Sequence, residues 1–199
     1  PVAFAESVGA LSDRSLVVHL ISADEEDIKK LANAGVTVGY CPASQMIYEH
    51  LAPIDQFLKA GLNVVLATDC AASNDTADMF AEMRIGALSV LDRAGPKTPG
   101  AAEFAFRAAT GGGSKVFEDG LGTLNVGAPA DVCFLKPDLG TEPLAAPLTD
   151  LVFTMTSRLV RHVMVAGEFA LWERELTKVN EDDLRAEFRS AVALSLIHI

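Results

Sequence analysis

Three apolar runs of this chain end on residues that could do chemistry. "SLVVHL" (15–20) carries His19 near its end, "VTVGYC" (36–41) closes on Tyr40 and Cys41, and "NVVLAT" (63–68) is followed at once by Asp69. An imidazole, a phenol or thiol, and a carboxylate brought to one face form a set suited to metal-assisted hydrolysis. A divalent cation takes His nitrogen and carboxylate oxygen, and it lowers the pKa of bound water to about 7. Behind Asp69 stand Ala71, Ala72 and Ser73, small residues that leave room for a substrate. Plainer readings stay open beside this one: Asp69 as a turn cap, His19 as a hydrogen-bonded core histidine, Cys70 as a small buried thiol. His50 in a loop and His162 in a hairpin read as structural. Gly111, Gly112 and Gly113 before Ser114 and Lys115 lack phosphate-loop spacing and follow no strand, so they read as a helix break.

The elements that must position these residues alternate. Strands at 15–20, 36–41 and 63–68 are followed by helices at 23–35, 53–61 and 74–91. Asn74 or Asp75 is the expected cap of the third helix, with Met79, Phe80, Met83, Ala87, Leu88 and Leu91 along its apolar face. Such alternation predicts parallel strands buried on both faces. Three units are too few for a closed barrel, which takes eight. After Ala94 the pattern changes to helices at 100–110 and 114–117 and short strands at 130–136, 161–167 and 168–173. The last two strands pair as a hairpin turning near Gly167, and a closing helix at 180–193 is capped by Asn180. The terminal "LSLIHI" has no amphipathic logic and reads as foreign to the protein.

Composition narrows the classes. With 199 residues, half of them apolar, the chain can bury a sizeable core. A net charge of −11 argues against nucleic acid or an anionic membrane as main partner. Cys41, Cys70 and Cys133 form no C-x-x-C pair and read as reduced thiols of a cytoplasmic protein. No apolar run approaches the roughly 18 residues of a membrane span. The opening "PVAFAESVGALSD" carries no signal peptide and reads as cut rather than begun.

"ATDCAASNDTADMFAEMR" (67–84) resembles the Thr-Asp-Gly-Ala-Ala-Ser-Asn-Asn…Glu-Met-Arg signature of the amidohydrolase superfamily. The branch is that of S-adenosylhomocysteine/methylthioadenosine deaminases and triazine chlorohydrolases. "VTVGYCPAS" with "LAPIDQFLKAGLNVVLATD" is similar to the branch's His-Cys-Pro-x-Ser…Ile-Ala-Pro segment. "GLGTLNVGAPADVCFL" and "VRHVMVAGEFALWERELTKVNEDDL" are similar to its closing segments. The resemblance implies an α/β fold: the C-terminal part of a (β/α)8 TIM barrel, holding its last three βα units, plus part of a small β-sandwich. The expected boundaries are 1–120 for the barrel part, 121–180 for the sandwich segment and 181–199 for the closing helix and tail.

It further implies that Asp69 binds the catalytic metal and shuttles the proton, and that His19 hydrogen-bonds the attacking water or the substrate. Ser73 is expected to line the substrate. Ungapped counting puts Ser22 where the family has a second His. The implied activity is hydrolytic deamination or dechlorination of a purine-, pyrimidine- or triazine-like ring by a metal-activated water, with zinc expected first and iron second. The expected partner is a small heterocyclic substrate, without nucleic acid or membrane, in a full-length homo-oligomer. Tyr40 stands in place of the branch's His, Gln45 in place of Asn and Cys70 in place of Gly; these departures put the substrate in doubt. The family's other metal ligands would precede Pro1. One carboxylate cannot hold a catalytic zinc, since such sites take about three protein ligands. The chain alone is therefore expected to be inactive. The rival expectation is a non-catalytic remnant, or a half-barrel subunit that needs a partner chain.

Overall fold

The computed structural model describes residues 1–48, 50–96, 98–117 and 120–196. Two compact units emerge, one of residues 1–128 with 137–158, the other of 129–136 with 159–199. Residues 197–199 of the "LSLIHI" stretch lie outside the described residues.

In the first unit, α1 (Val2–Ser7) precedes β1 (Leu16–Val18), α2 (Glu25–Asn33), β2 (Thr37–Tyr40), α3 (Pro42–Tyr48), α4 (Ile54–Lys59) and β3 (Asn63–Leu66). The chain goes on through α5 (Ala71–Asn74), α6 (Met79–Ala94), α7 (Ala101–Ala109) and α8 (Ser114–Phe117). The three strands pair in parallel in the order β1-β2-β3, with Val17 opposite Val38 and Val38 opposite Val64. Local chemistry explains the helices. Asp24 caps α2 by accepting the Asp27 N–H at 2.8 Å, three acids fill the first turn, and Gly35 at φ +71° follows the last one.

Val36, Val38 and Tyr40 pack with Val64 and Leu66 against the helices, around Leu31, Ile54, Phe57, Met83 and Ala87. Only β2 is buried on both faces. Leu16 and Val18 of β1 are about two-fifths exposed, and β3 alternates between buried and half-buried. The expectation of strands buried on both sides thus holds for the middle strand alone. The two outer strands turn one face to the core: Val17, Val64 and Leu66 pack in the same cluster as Val38 and Tyr40, while Leu16 and Val18 stay partly exposed.

Two further expectations change. The third helix begins at Met79, not residue 74: Asp75 is left-handed at φ +59°, and Asp78 is the cap, accepting the Phe80 and Ala81 N–H groups at 2.9 and 3.3 Å. Its apolar face includes Val90 rather than Leu88, which is 47% exposed. Helix α3 escapes sequence reading because its first four residues are buried while Met46, Ile47 and Tyr48 are exposed, which leaves no helical apolar period.

The second unit holds a four-stranded antiparallel sheet, β4 (Val132–Leu135), β5 (Val160–Val165), β6 (Glu168–Trp172) and β7 (Glu175–Leu176), in that order. Ala166 and Gly167, at φ +50° and +83°, make the expected tight hairpin turn. Helix α9 (Pro147–Phe153) belongs to the first unit, and α10 (Glu181–Leu196) to the second. Asn180 accepts the Asp182 and Asp183 N–H groups at 2.9 and 3.2 Å, so it caps α10 as expected.

Candidate functional site

His19 and Asp69 both stand just beyond the carboxyl ends of their strands, at φ +72° and +61°. Left-handed backbone is uncommon for residues other than Gly, though Asp and His tolerate it better than most. The bends bring the two side chains together, with His19 Nε2 3.9 Å from Asp69 Oδ2. That gap is too wide for a hydrogen bond. Ser44, on α3, donates its hydroxyl to Asp69 Oδ2 at 2.7 Å, and the Cys70 N–H donates to Oδ1 at 2.7 Å. The Ser44 hydroxyl first, then the Cys70 N–H, the Ser73 hydroxyl and the nearby imidazole, hold the Asp69 carboxyl below its ordinary range.

These residues line a mostly polar cavity of about 410 Å³ together with Ile21, Ser22, Gln45, Tyr48 and Ser73. Gln45 is buried and ties two segments, donating to the His19 carbonyl at 3.4 Å and accepting the Ala52 N–H at 3.0 Å. Tyr48 reaches across to the Ala72 carbonyl at 3.2 Å. A larger cavity of about 510 Å³ lies by Asn63, at the other end of β3, lined by Leu58, Phe104 and Phe106. Among the described residues it carries no carboxylate or imidazole, whereas the first cavity holds both.

Two strand-end groups do not join the site. Tyr40 is wholly buried on the helix side of the sheet, and burial pushes its phenol up to about 12. The phenol expected at the rim therefore faces the core, and Tyr40 is not among the residues that line the cavity. Cys41 is also buried, its thiol pushed up to about 11 by burial and by the Asp69 charge. Cys70 differs from the expected buried thiol: it is exposed, and the Ser73 hydroxyl holds it below the usual thiol range.

Sequence reading missed Ser44, although the Cys-Pro-x-Ser pattern contains it. It also missed Glu82, the only carboxylate in the buried set of described residues. Burial raises its pKa.

The donor types at hand, imidazole and carboxylate, suit zinc, and Asp69 keeps lone pairs beyond the two it already shares. Among the described residues no three His, Cys, Asp or Glu side chains gather to hold a metal ion.

The amidohydrolase family pattern matches residues 1–170. The chain belongs to the amidohydrolase family. It is 36% identical over 197 residues to a 5-methylthioadenosine/S-adenosylhomocysteine deaminase of Syntrophobacter fumaroxidans, covering 95% of this chain and 44% of that one. Among solved structures, an adenosine deaminase of Xanthomonas campestris with bound zinc superimposes with a TM-score of 0.87 at 31% identity, covering 94% of this chain and 44% of the other. Atrazine chlorohydrolase of Arthrobacter aurescens, complexed with zinc, gives 0.85 at 27% identity, covering 94% and 43%. The chain thus spans under half the length of the relatives it matches.

Proposed function

We propose that this chain is the C-terminal part of a hydrolase that removes an amino group from a purine-like ring, with chlorine on a triazine-like ring as the alternative leaving group. Its parallel strands would be the last three of a (β/α)8 barrel, and the antiparallel sheet part of a small sandwich domain. The carrying observation is the Asp69 carboxylate held by Ser44 and faced by His19 in a polar cavity at the carboxyl ends of parallel strands. In parallel α/β folds that is where ligands bind. The deaminase names of relatives at 31–36% identity support the choice of leaving group.

Asp69 would be one ligand of a divalent cation, most naturally zinc, with the other ligands supplied from outside the described residues. A bound cation supplies charge stabilisation and acidifies water. Asp69, ionised at neutral pH, takes up the proton of the attacking water and returns it to the departing nitrogen. His19 donates a hydrogen bond to the oxygen added at the ring carbon, and Ser44 fixes the orientation of the carboxylate between these tasks. Proton transfer by a positioned group contributes about 10²–10⁴-fold. Ser22, Ser73 and Tyr48 line the space left for the ring. The free cysteines suit a reducing cytoplasm.

The test is Asp69→Asn in the full-length protein, assayed on aminopurines, aminopyrimidines and chlorotriazines. Turnover should fall by at least about 10³-fold with the far-UV circular dichroism unchanged. Substantial residual activity would remove Asp69 from its role.

A further inference from the structure

Beneath the cavity, on the helix side of the sheet, α6 buries Glu82 completely. Its Oε2 accepts the Ala43 N–H at 3.2 Å, and its Oε1 accepts the Asn74 side-chain amide at 2.7 Å. The same Asn74 amide nitrogen donates its second hydrogen to the Thr68 carbonyl at 2.5 Å. Ala43 immediately precedes Ser44, and Thr68 immediately precedes Asp69. Each partner of the Ser44–Asp69 hydrogen bond is therefore one residue away from an atom held by the Glu82–Asn74 pair.

Burying a carboxylate is costly, and a neutral side chain would do if packing were all that mattered. Only an acceptor on both sides can meet the two donors. Glutamine at this position would turn an NH2 toward one of them. The arrangement also bears on backbone strain. Asp69 sits at φ +61° and Asp75 at +59°, conformations that persist only where their surroundings over-determine them. The Thr68–Asn74–Glu82 bridge spans that stretch from one side, and Ser44 holds it from the other.

We propose that Glu82 is the positioning residue of this site: it clamps the start of α3, after β2, and the segment after β3 to α6 and so fixes Ser44 against Asp69. The inference rests on the reading of Asp69 as the reactive carboxylate, and it names the device that holds that group in place. Glu82 is not among the residues that line the cavity, so its effect is exerted through the segments that carry Ser44 and Asp69.

The experiment combines hydrogen–deuterium exchange with kinetics on the full-length protein carrying this chain. Glu82→Gln should speed amide exchange about tenfold in segments 41–48 and 67–75, the effect of losing one hydrogen bond, and leave 101–109 unchanged. The same variant should lower kcat about 10- to 100-fold with KM within about twofold, as a small misplacement of reacting groups does. Adding Ser44→Ala to Glu82→Gln should cost little more, because both act on one contact. Exchange that rises throughout the chain, or in α6 alone, would overturn the proposal, as would rate effects of the two substitutions that multiply. Should Glu82→Gln fail to fold, Asn74→Ala cuts a single arm. It should loosen 67–75 and spare 41–48, and loosening of both or of neither refutes the clamp. If the unsubstituted protein turns over no ring substrate, the functional reading falls, while the exchange pattern still decides whether the clamp exists.

Discussion

Asp69 shows what a single residue gains from its neighbours. By itself an aspartate after a strand is an ordinary turn former, and here it does accept the N–H of the residue that follows it. The Ser44 hydroxyl at 2.7 Å and the imidazole at 3.9 Å set it apart from a plain turn. The cysteines give a test of the same surroundings. Cys41 is buried with its thiol pushed up to about 11, so it stays almost wholly protonated at pH 8. Cys70 is exposed and held below the usual range by Ser73. Brief iodoacetamide treatment at pH 8, read by peptide mass mapping, should alkylate Cys70 and leave Cys41 unmodified until denaturant is added. Early labelling of Cys41 would show that the end of β2 is open. Of the residues that line the cavity, the strand ends and family likeness pointed to Asp69, His19 and Ser73. Ser44 and Glu82 were not singled out, since a serine in the first turn of a short helix and a glutamate in a long one carry no local mark of burial.

Among the elements, α6 holds the rim in place. Its cap Asp78 uses Oδ1 for the first helical turn and Oδ2 for the Ser157 hydroxyl at 2.5 Å, and Arg84 holds the Phe153 carbonyl at 2.5 Å. Asp78→Ala should cost about 1–2 kcal/mol in urea unfolding, the loss of a cap and one tertiary bond. A close backbone approach lies elsewhere in the unit. Gly122, at φ +80°, has no room for a side chain, because a Cβ there would meet Gly111 Cα at 2.4 Å. Gly122→Ala should destabilise by about 3 kcal/mol or more through strain and overpacking together. A variant within about 0.5 kcal/mol of the parent would show that this contact is loose. Strand–helix alternation was readable because apolar runs and glycine stops are local. Helix α3 and the true start of α6 were not, since α3 shows the core only its first turn and Asn74 spends its side chain on Thr68 and Glu82 instead of a cap.

For the whole molecule, stoichiometry is the sharpest question. The chain offers an imidazole and a carboxylate at the rim, and the described residues gather no third ligand. Expressed by itself it should retain well under one zinc per chain by metal analysis, whereas the full-length protein should hold about one and lose turnover to a chelator. One tightly held metal on the isolated chain would show that the ligands lie elsewhere. The sequence by itself determined the alternation of the first three strands with α2, α4 and α6, the family and the candidate Asp69–His19 pair, because apolar periodicity, turn residues and a contiguous signature are all written along the chain. Only the tertiary structure decided that Tyr40 turns into the core, that Cys70 lies in solvent, that Ser44 meets the Asp69 carboxylate and that Glu82 is buried against Ala43 and Asn74. Which face a strand residue takes, and which distant donor meets a buried acceptor, depends on how the sheet packs against its helices, and no local pattern encodes that.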